Sequence, residues 1–381
     1  MTKNVLTGIF AALLAAFGLL LGCVDPEDAE GSSGTGGTSL YVFDSSDGAS
    51  SRILVYSDVA TLFNDPETSP SRQLRGTKIE KVKNLAWGGM CFDTNGNRLY
   101  LVSEAGDVVR IDRVRSQNGD ISSPFDIVSF MLGSSDSERL SNGKFGQAMV
   151  NPMTSALYVT ESNSSSSRVW VISNPGALSD GATVGNSGYL SVPGEKGGTG
   201  VAVGTDGSIY AYLDDGSFFT DPLSGVSYSG PRLRKGNSAG FPLTTSVIVG
   251  DSSEPVNKTK LARYGCLAVD SDGYVYMSRH LWDAGLDTSG SEDSILVFSP
   301  GQFNPGRNQA PERTFSNTID LRIISHAVTR DWLVGASSNG DFGRDRLWIW
   351  RAPSSVVAMS SKDFSVGSGA AIRGLALDGN N

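Results

Sequence analysis

GGMCFDTNGNRLYLV (Gly88–Val102), GQAMVNPMTSALYVT (Gly146–Thr160), GTGVAVGTDGSIYAY (Gly198–Tyr212), YGCLAVDSDGYVYMS (Tyr264–Ser278) and SHAVTRDWLVGA (Ser325–Ala336) are versions of one unit. Each has an apolar run, a tight turn of Asp, Asn, Gly, Ser or Thr, and a second apolar run. That is two strands joined by a hairpin turn. A further copy starts at Ile372-Arg373-Gly374-Leu375-Ala376-Leu377-Asp378 and stops after its turn, at Asn381. Its missing strands stand at the other end of the chain, as Leu40-Tyr41-Val42-Phe43-Asp44 and Arg52-Ile53-Leu54-Val55-Tyr56.

The residues that open the turns are Asp93, Asn151, Gly204, Asp270, Thr329 and Asp378. Their mean spacing is about 57 residues, so residues 40–381 hold six units. The expected fold class is therefore all-β: a six-bladed β-propeller with the N-terminal strands completing the C-terminal blade. Counting that shared sheet as the first places Asp93 in the second and Thr329 in the sixth. Two residues before the turns stand Cys91, Met149, Ala202, Ala268, Ala327 and Ala376, mostly small, as expected where strands crowd round an axis. One residue before stand Phe92, Val150, Val203, Val269, Val328 and Leu377, which should point the other way and fill the space between sheets. The recurring G-x-A-x-D-x-x-G-x-x-Y pattern resembles NHL-type propellers and the broader TolB-like six-bladed class. His326 and Arg330-Asp331 depart from it.

The first residues read as an address. Lys3 is the positive start, Val5 to Leu21 is the apolar stretch, and Leu20-Leu21-Gly22-Cys23 closes it. This ending resembles the lipobox of bacterial lipoproteins, which implies lipidation at Cys23 and stable anchoring by several acyl chains. The alternative is a single membrane-spanning anchor with an incidental Cys. Residues 1–22 are thus expected to be a signal peptide. Residues 23–39 should be a lipidated Cys with a flexible acidic and Gly/Ser-rich tether, and residues 40–381 the propeller. The implied location is the bacterial cell envelope, periplasmic or outer surface.

Composition excludes several functions. A net charge of −9, made one unit more negative once Lys3 leaves, is wrong for a nucleic-acid binder. Two His and three Cys all but exclude multi-His or multi-Cys metal sites. The acidic turns lack the spacing of an EF-hand and carry the residues that hairpins need, so they read as structural. Cys91 and Cys266, on opposite blades, should be separate buried thiols rather than a disulfide.

Basic residues gather where the inner strands begin: Lys144, Lys196, Arg263, Arg322 and Arg373. They suggest an electropositive mouth for an anionic ligand or an acidic surface of an envelope protein; the alternative is solvated charges paired with nearby carboxylates, such as Arg322 with Asp320. Trp282, Phe342, Phe218 and Phe219 lie in long segments (279–293, 336–344 and 214–255) that would add contacts on the same face. The leading expectation is a monomeric, non-enzymatic binding or scaffold protein without a cofactor. The alternative is a metal-dependent hydrolase resembling gluconolactonase-type propellers, with one divalent ion held by Asn84, Glu195 and Asp320, and with Gln147 as a nearby amide. A quinone-dependent sugar dehydrogenase is disfavoured by the scarcity of His. Ser325 and His326 are neighbours on one strand, so their side chains should diverge and not form a nucleophile and base.

Overall fold

Each hairpin predicted from the repeat forms, and each gains two further strands. The computed structural model describes residues 37–45, 51–133, 138–185, 189–191, 198–213, 218–220, 227–229, 232–241, 247–249, 265–279, 294–303, 310–316, 322–338, 346–351, 353, 361–366 and 371–379. The chain divides into Met1–Gly37 and Thr38–Asn381. The leader, Cys23 and nearly all of the tether fall in the first unit, outside the described residues. Among those described, no helix is long and apolar enough to cross a membrane.

Among the described residues there are six sheets of four or five strands and one separate two-stranded hairpin. The first sheet joins both ends of the domain, in the order Ile372–Asp378, Ser39–Asp44, Arg52–Tyr56, Arg72–Arg75. The second runs Leu85–Asp93, Arg98–Ser103, Asp107–Asp112, Ile127–Leu132, and the third Lys144–Val150, Leu157–Ser162, Ser167–Ile172, Tyr189–Ser191. The fourth runs Gly198–Val203, Ile209–Leu213, Arg232–Gly236, Val247–Val249. The fifth runs Leu267–Val269, Val275–Arg279, Ser294–Phe298, Arg313–Ser316. The sixth runs Arg322–Val328, Trp332–Ser338, Arg346–Arg351, Ser361–Ser365. The first strand of each sheet touches the first strand of the next, and the sixth touches the first, so the inner strands close a circle. Sheets standing round an axis on their inner strands make a β-propeller.

Closure across the termini is antiparallel, with Leu40 opposite Leu377 and Val42 opposite Leu375. Ser39 already pairs with Asp378, so the strand starts one residue earlier than the tether boundary read from the sequence. Two outer edges carry short parallel strands, Gly119–Asp120 on the first sheet and Thr183–Val184 on the second. Each comes from the adjoining sheet's connections and covers an edge that would otherwise be open. Among the described residues the two α-helices, Val59–Asn64 and Thr77–Lys81, are short. Asp58 caps the former by accepting from the Ala60 and Thr61 amides.

The core lies in six layers, one between each pair of consecutive sheets. The position rule read from the sequence is sharpened here. Ala376, Cys91, Ala202 and Ala268 do not face the axis alone: each also joins the layer toward the following sheet. Leu377, Val150, Val203, Val269 and Val328 join the layer toward the preceding one. A sheet standing edge-on to the axis has both faces against neighbours, so both sets of an alternating strand are core. The small residues sit where the wedge between sheets is narrowest.

The stretch 214–255 is less of an insertion than it looks. It holds the third and fourth strands of the fourth sheet, and the extra hairpin pairs Phe218–Thr220 with Ser227–Ser229.

Candidate functional site at the propeller axis

Turn chemistry builds one rim of the axis. Asp93 Oδ1 accepts from the Gly96 amide at 3.0 Å and from Ser155 Oγ at 2.9 Å, in the next sheet's turn. Asn151 Oδ1 accepts from the Met153 and Thr154 amides, and Asp270 Oδ1 from the Asp272 and Tyr274 amides. Asn95 Nδ2 donates to the Pro152 carbonyl, and Arg115 forks onto Asp378 through Nε and Nη2, both at 2.7 Å. These side chains cap hairpins and tie neighbouring turns together, as expected for the structural reading. Among the described residues, no group of three or more His, Cys, Asp or Glu could hold a metal.

The opposite side of the axis is closed. Gln147 is buried, and its amide clamps two other inner strands. Oε1 accepts from the Val201 and Leu267 amides at 3.0 and 2.7 Å, and Nε2 donates to the Leu267 carbonyl at 2.5 Å. This engagement removes it from any metal site. Gly88 has φ +67°, and a Cβ there would lie 2.7 Å from Cys266 Sγ and 3.1 Å from Gln147 Cγ. Only glycine allows that approach. The second and fifth inner strands are therefore closer at this level than facing strands of an open channel would be. Cys91 and Cys266 are nonetheless separate buried thiols, not joined in a disulfide. Burial pushes the Cys266 thiol up to about 12, so it is no nucleophile.

Between this floor and the turn rim lies an axial cavity of about 340 Å³. Phe92, Met149, Val203, Val269 and Leu377 supply apolar wall, and Asn95, Met153 and Thr205 stand at the rim. Met153 is 69% exposed there. Ser325 and His326 both line the cavity. A register shift lies before both, between Ile323 and Ser325, while Ser325 opposite Ala336 and His326 opposite Gly335 pair in step, so their side chains diverge as alternation expects. Ser325 Oγ and His326 Nδ1 are buried and have no hydrogen-bond partner among the described residues. The two are therefore not bonded to each other and form no nucleophile–base pair. His326 Nε2 lies 3.2 Å from the Tyr276 carbonyl.

Burial lowers the His326 pKa from 6.5 to about 4, against the opposing pull of the Tyr276 carbonyl. The unfolded chain takes up this proton below about 6.5 and the folded chain only below about 4. In that window the unfolded state binds more protons, so stability falls as pH falls. The expected loss is up to about 3 kcal/mol by pH 4. His326→Gln should flatten the pH dependence of the denaturation midpoint between pH 6.5 and 4, relative to the parent; parallel profiles would refute the assignment.

The residues singled out from sequence are spread differently. Lys144 and Arg373 are exposed at the leading ends of their inner strands, the end away from the turn rim. Lys144 Nζ pairs with Glu104 at 3.0 Å, the solvated pairing that was the alternative for this group. Arg322 begins the sixth sheet's inner strand; its side chain, like Lys196, Arg263, Trp282, Glu195 and Asp320, lies outside what is described. Asn84 is exposed beside the second inner strand. The cavity is thus bounded by the hairpin rim, and neither Lys144 nor Arg373 lines it. Sequence reasoning missed it because it judged the inner strands by alternation alone; His326, where the repeat pattern breaks, was the available signal.

No protein-family model matches the chain, and no curated protein does. Among solved structures, the β-propeller domain of Cps50 (Swd1) from Myceliophteria thermophila is similar at a TM-score of 0.42 and 12% identity, covering 83% of this chain and 81% of that one. The WD40 domain of Neurospora crassa Pan2 is similar at 0.42 and 8% identity, covering 75% of this chain and 68% of that one.

Proposed function

We propose that this chain is a six-bladed β-propeller of the NHL/TolB-like kind, lipid-anchored through Cys23 at a bacterial cell envelope. It acts there as a binding or scaffold module rather than an enzyme. The observation that carries the binding role is the axial cavity, bounded by a rim of cross-tied hairpin turns with Met153 exposed at its mouth. Recognition surfaces are commonly built at such a rim on a rigid scaffold. The opposite mouth, with Arg373 and Lys144 exposed and Lys196, Arg263 and Arg322 at the corresponding places of the other units in the sequence, is the second candidate, for an acidic partner surface.

Two measurements test this. Cys23→Ser should move the protein from the membrane fraction to the soluble one; retention in the membrane would mean a spanning anchor instead. In intact cells, a photo-reactive residue replacing Met153 should give a discrete cross-linked adduct. Adducts from position 373 alone would transfer the function to the basic mouth, and none from either position would overturn the binding role.

A further inference from the structure

We infer that the axial cavity is a site for a small, uncharged, mainly apolar molecule carrying a hydroxyl group, held by Ser325 Oγ, with His326 Nδ1 as a second polar point. The inference rests on reading the turn-side cavity as the binding end of the propeller, and adds the chemistry of what enters it.

Four observations lead there. Ser325 and His326 are 1% and 4% exposed, line the cavity, and each carries a buried polar atom without a partner among the described residues. Such atoms cost free energy unless something satisfies them. His326 Nε2 faces a carbonyl oxygen, so that nitrogen carries the proton in the neutral ring, which leaves Nδ1 as an acceptor. Ser325 Oγ can donate. A ligand hydroxyl group can accept from Oγ, and Nδ1, on the other side of the strand, is open to a second donor.

Charge selects against anions. Among the described lining residues there is no Lys or Arg, and the single carboxylate, Asp93, is held at Oδ1 by Gly96 and Ser155, while its buried Oδ2 lies 3.5 Å from Arg98 and has no hydrogen-bond partner among the described residues. An anion would enter without a counter-charge, beside a His that stays neutral above about pH 4. The wall of Phe92, Met149, Val203, Val269 and Leu377 matches hydrocarbon. A volume of about 340 Å³ fits a small molecule.

Methionines report on the site directly. Met90, Met149 and Met153 line the cavity, while Met277 lies in the layer between the fourth and fifth sheets and Met131 is on the outer strand of the second. The full chain, labelled with ¹³C at methionine methyls, would be titrated with cyclohexanol and, separately, with cyclohexanecarboxylate. Cyclohexanol should shift the Met90, Met149 and Met153 signals with a Kd in the millimolar range, leaving Met131 and Met277 in place. The carboxylate should bind at least about tenfold more weakly. Ser325→Ala should weaken cyclohexanol by threefold or more. Equal shifts with both probes would overturn the selection for a neutral ligand. No shift with either would mean that water alone serves the two atoms, and would also overturn it. An adduct from position 153 alongside unmoved methyls would leave the binding role standing while the small-molecule site falls.

Discussion

A chain ending at Ala371 should lose cooperative folding altogether. The ten residues removed hold the inner strand of the first sheet, Ile372–Asp378. Ile372, Leu375 and Leu377 are 1%, 2% and 9% exposed. At about 1.5–3 kcal/mol for each large aliphatic side chain buried, their loss costs roughly 5–9 kcal/mol before the ladder is counted. That is comparable with the 5–15 kcal/mol that holds typical domains together. The deletion also removes the Asp378 carboxylate from Arg115, and bares the Ser39–Asp44 strand as an open edge. Circular closure makes the damage global, because the first sheet supports layers on both sides. Thermal unfolding followed by circular dichroism should show no sigmoidal transition. A truncated chain melting within a few degrees of the parent would refute closure through this strand.

Glu161→Ala should destabilise the protein by about 3–5 kcal/mol, among the largest effects of any single substitution. Glu161 is fully buried in the second strand of the third sheet and serves three donors. Arg168 Nε and Trp170 Nε1 donate to Oε2 at 2.6 and 2.7 Å, and the Leu140 amide donates to Oε1 at 2.7 Å. The Arg168 guanidinium also lies 4.9 Å from the Trp170 ring centre. Truncation takes the carboxylate from a nearly buried guanidinium, leaves two N–H donors unserved, and frees the connection near Leu140 that leads into the third inner strand. Glu161→Gln, which keeps the shape and the acceptor, should cost distinctly less. Equilibrium urea unfolding distinguishes the two; equal losses for Ala and Gln would show that the charge, not the shape or the acceptor, carries the effect.

Much of the architecture was legible in the residues because β structure repeats locally. The Asp, Asn and Thr that open each turn bond to amides only a few positions on, so a short window contains their whole reason. The split last unit was legible too, since Leu40–Asp44 and Ile372–Asp378 are each incomplete alone. The orientation of Cys91, Ala202, Ala268 and Ala376 was not. Alternation tells that neighbours oppose, not which layer each joins, and in an edge-on sheet both sets are core and both reach the axial cavity. The third and fourth strands of the fourth sheet were hidden within 214–255 because Arg232-Leu233-Arg234-Lys235-Gly236 carries three charges in a strand of five residues. Its ladder to Ile209–Leu213 and the burial of Arg232 and Arg234 override its weak intrinsic preference.

The candidate site divides the same way. Sequence alone determined the unit, its repetition, the turn chemistry, the joining of the chain's ends and the scarcity of metal-binding side chains, because each depends on residues close together or on simple counting. The tertiary structure alone decided that Gln147 and Gly88 close the axis on one side, that the cavity meets the hairpin rim, and that Ser325 and His326 share it. These depend on approaches between inner strands many residues apart, such as Gln147 to Leu267. The spacing of the inner strands about the axis sets them, and no local pattern encodes it.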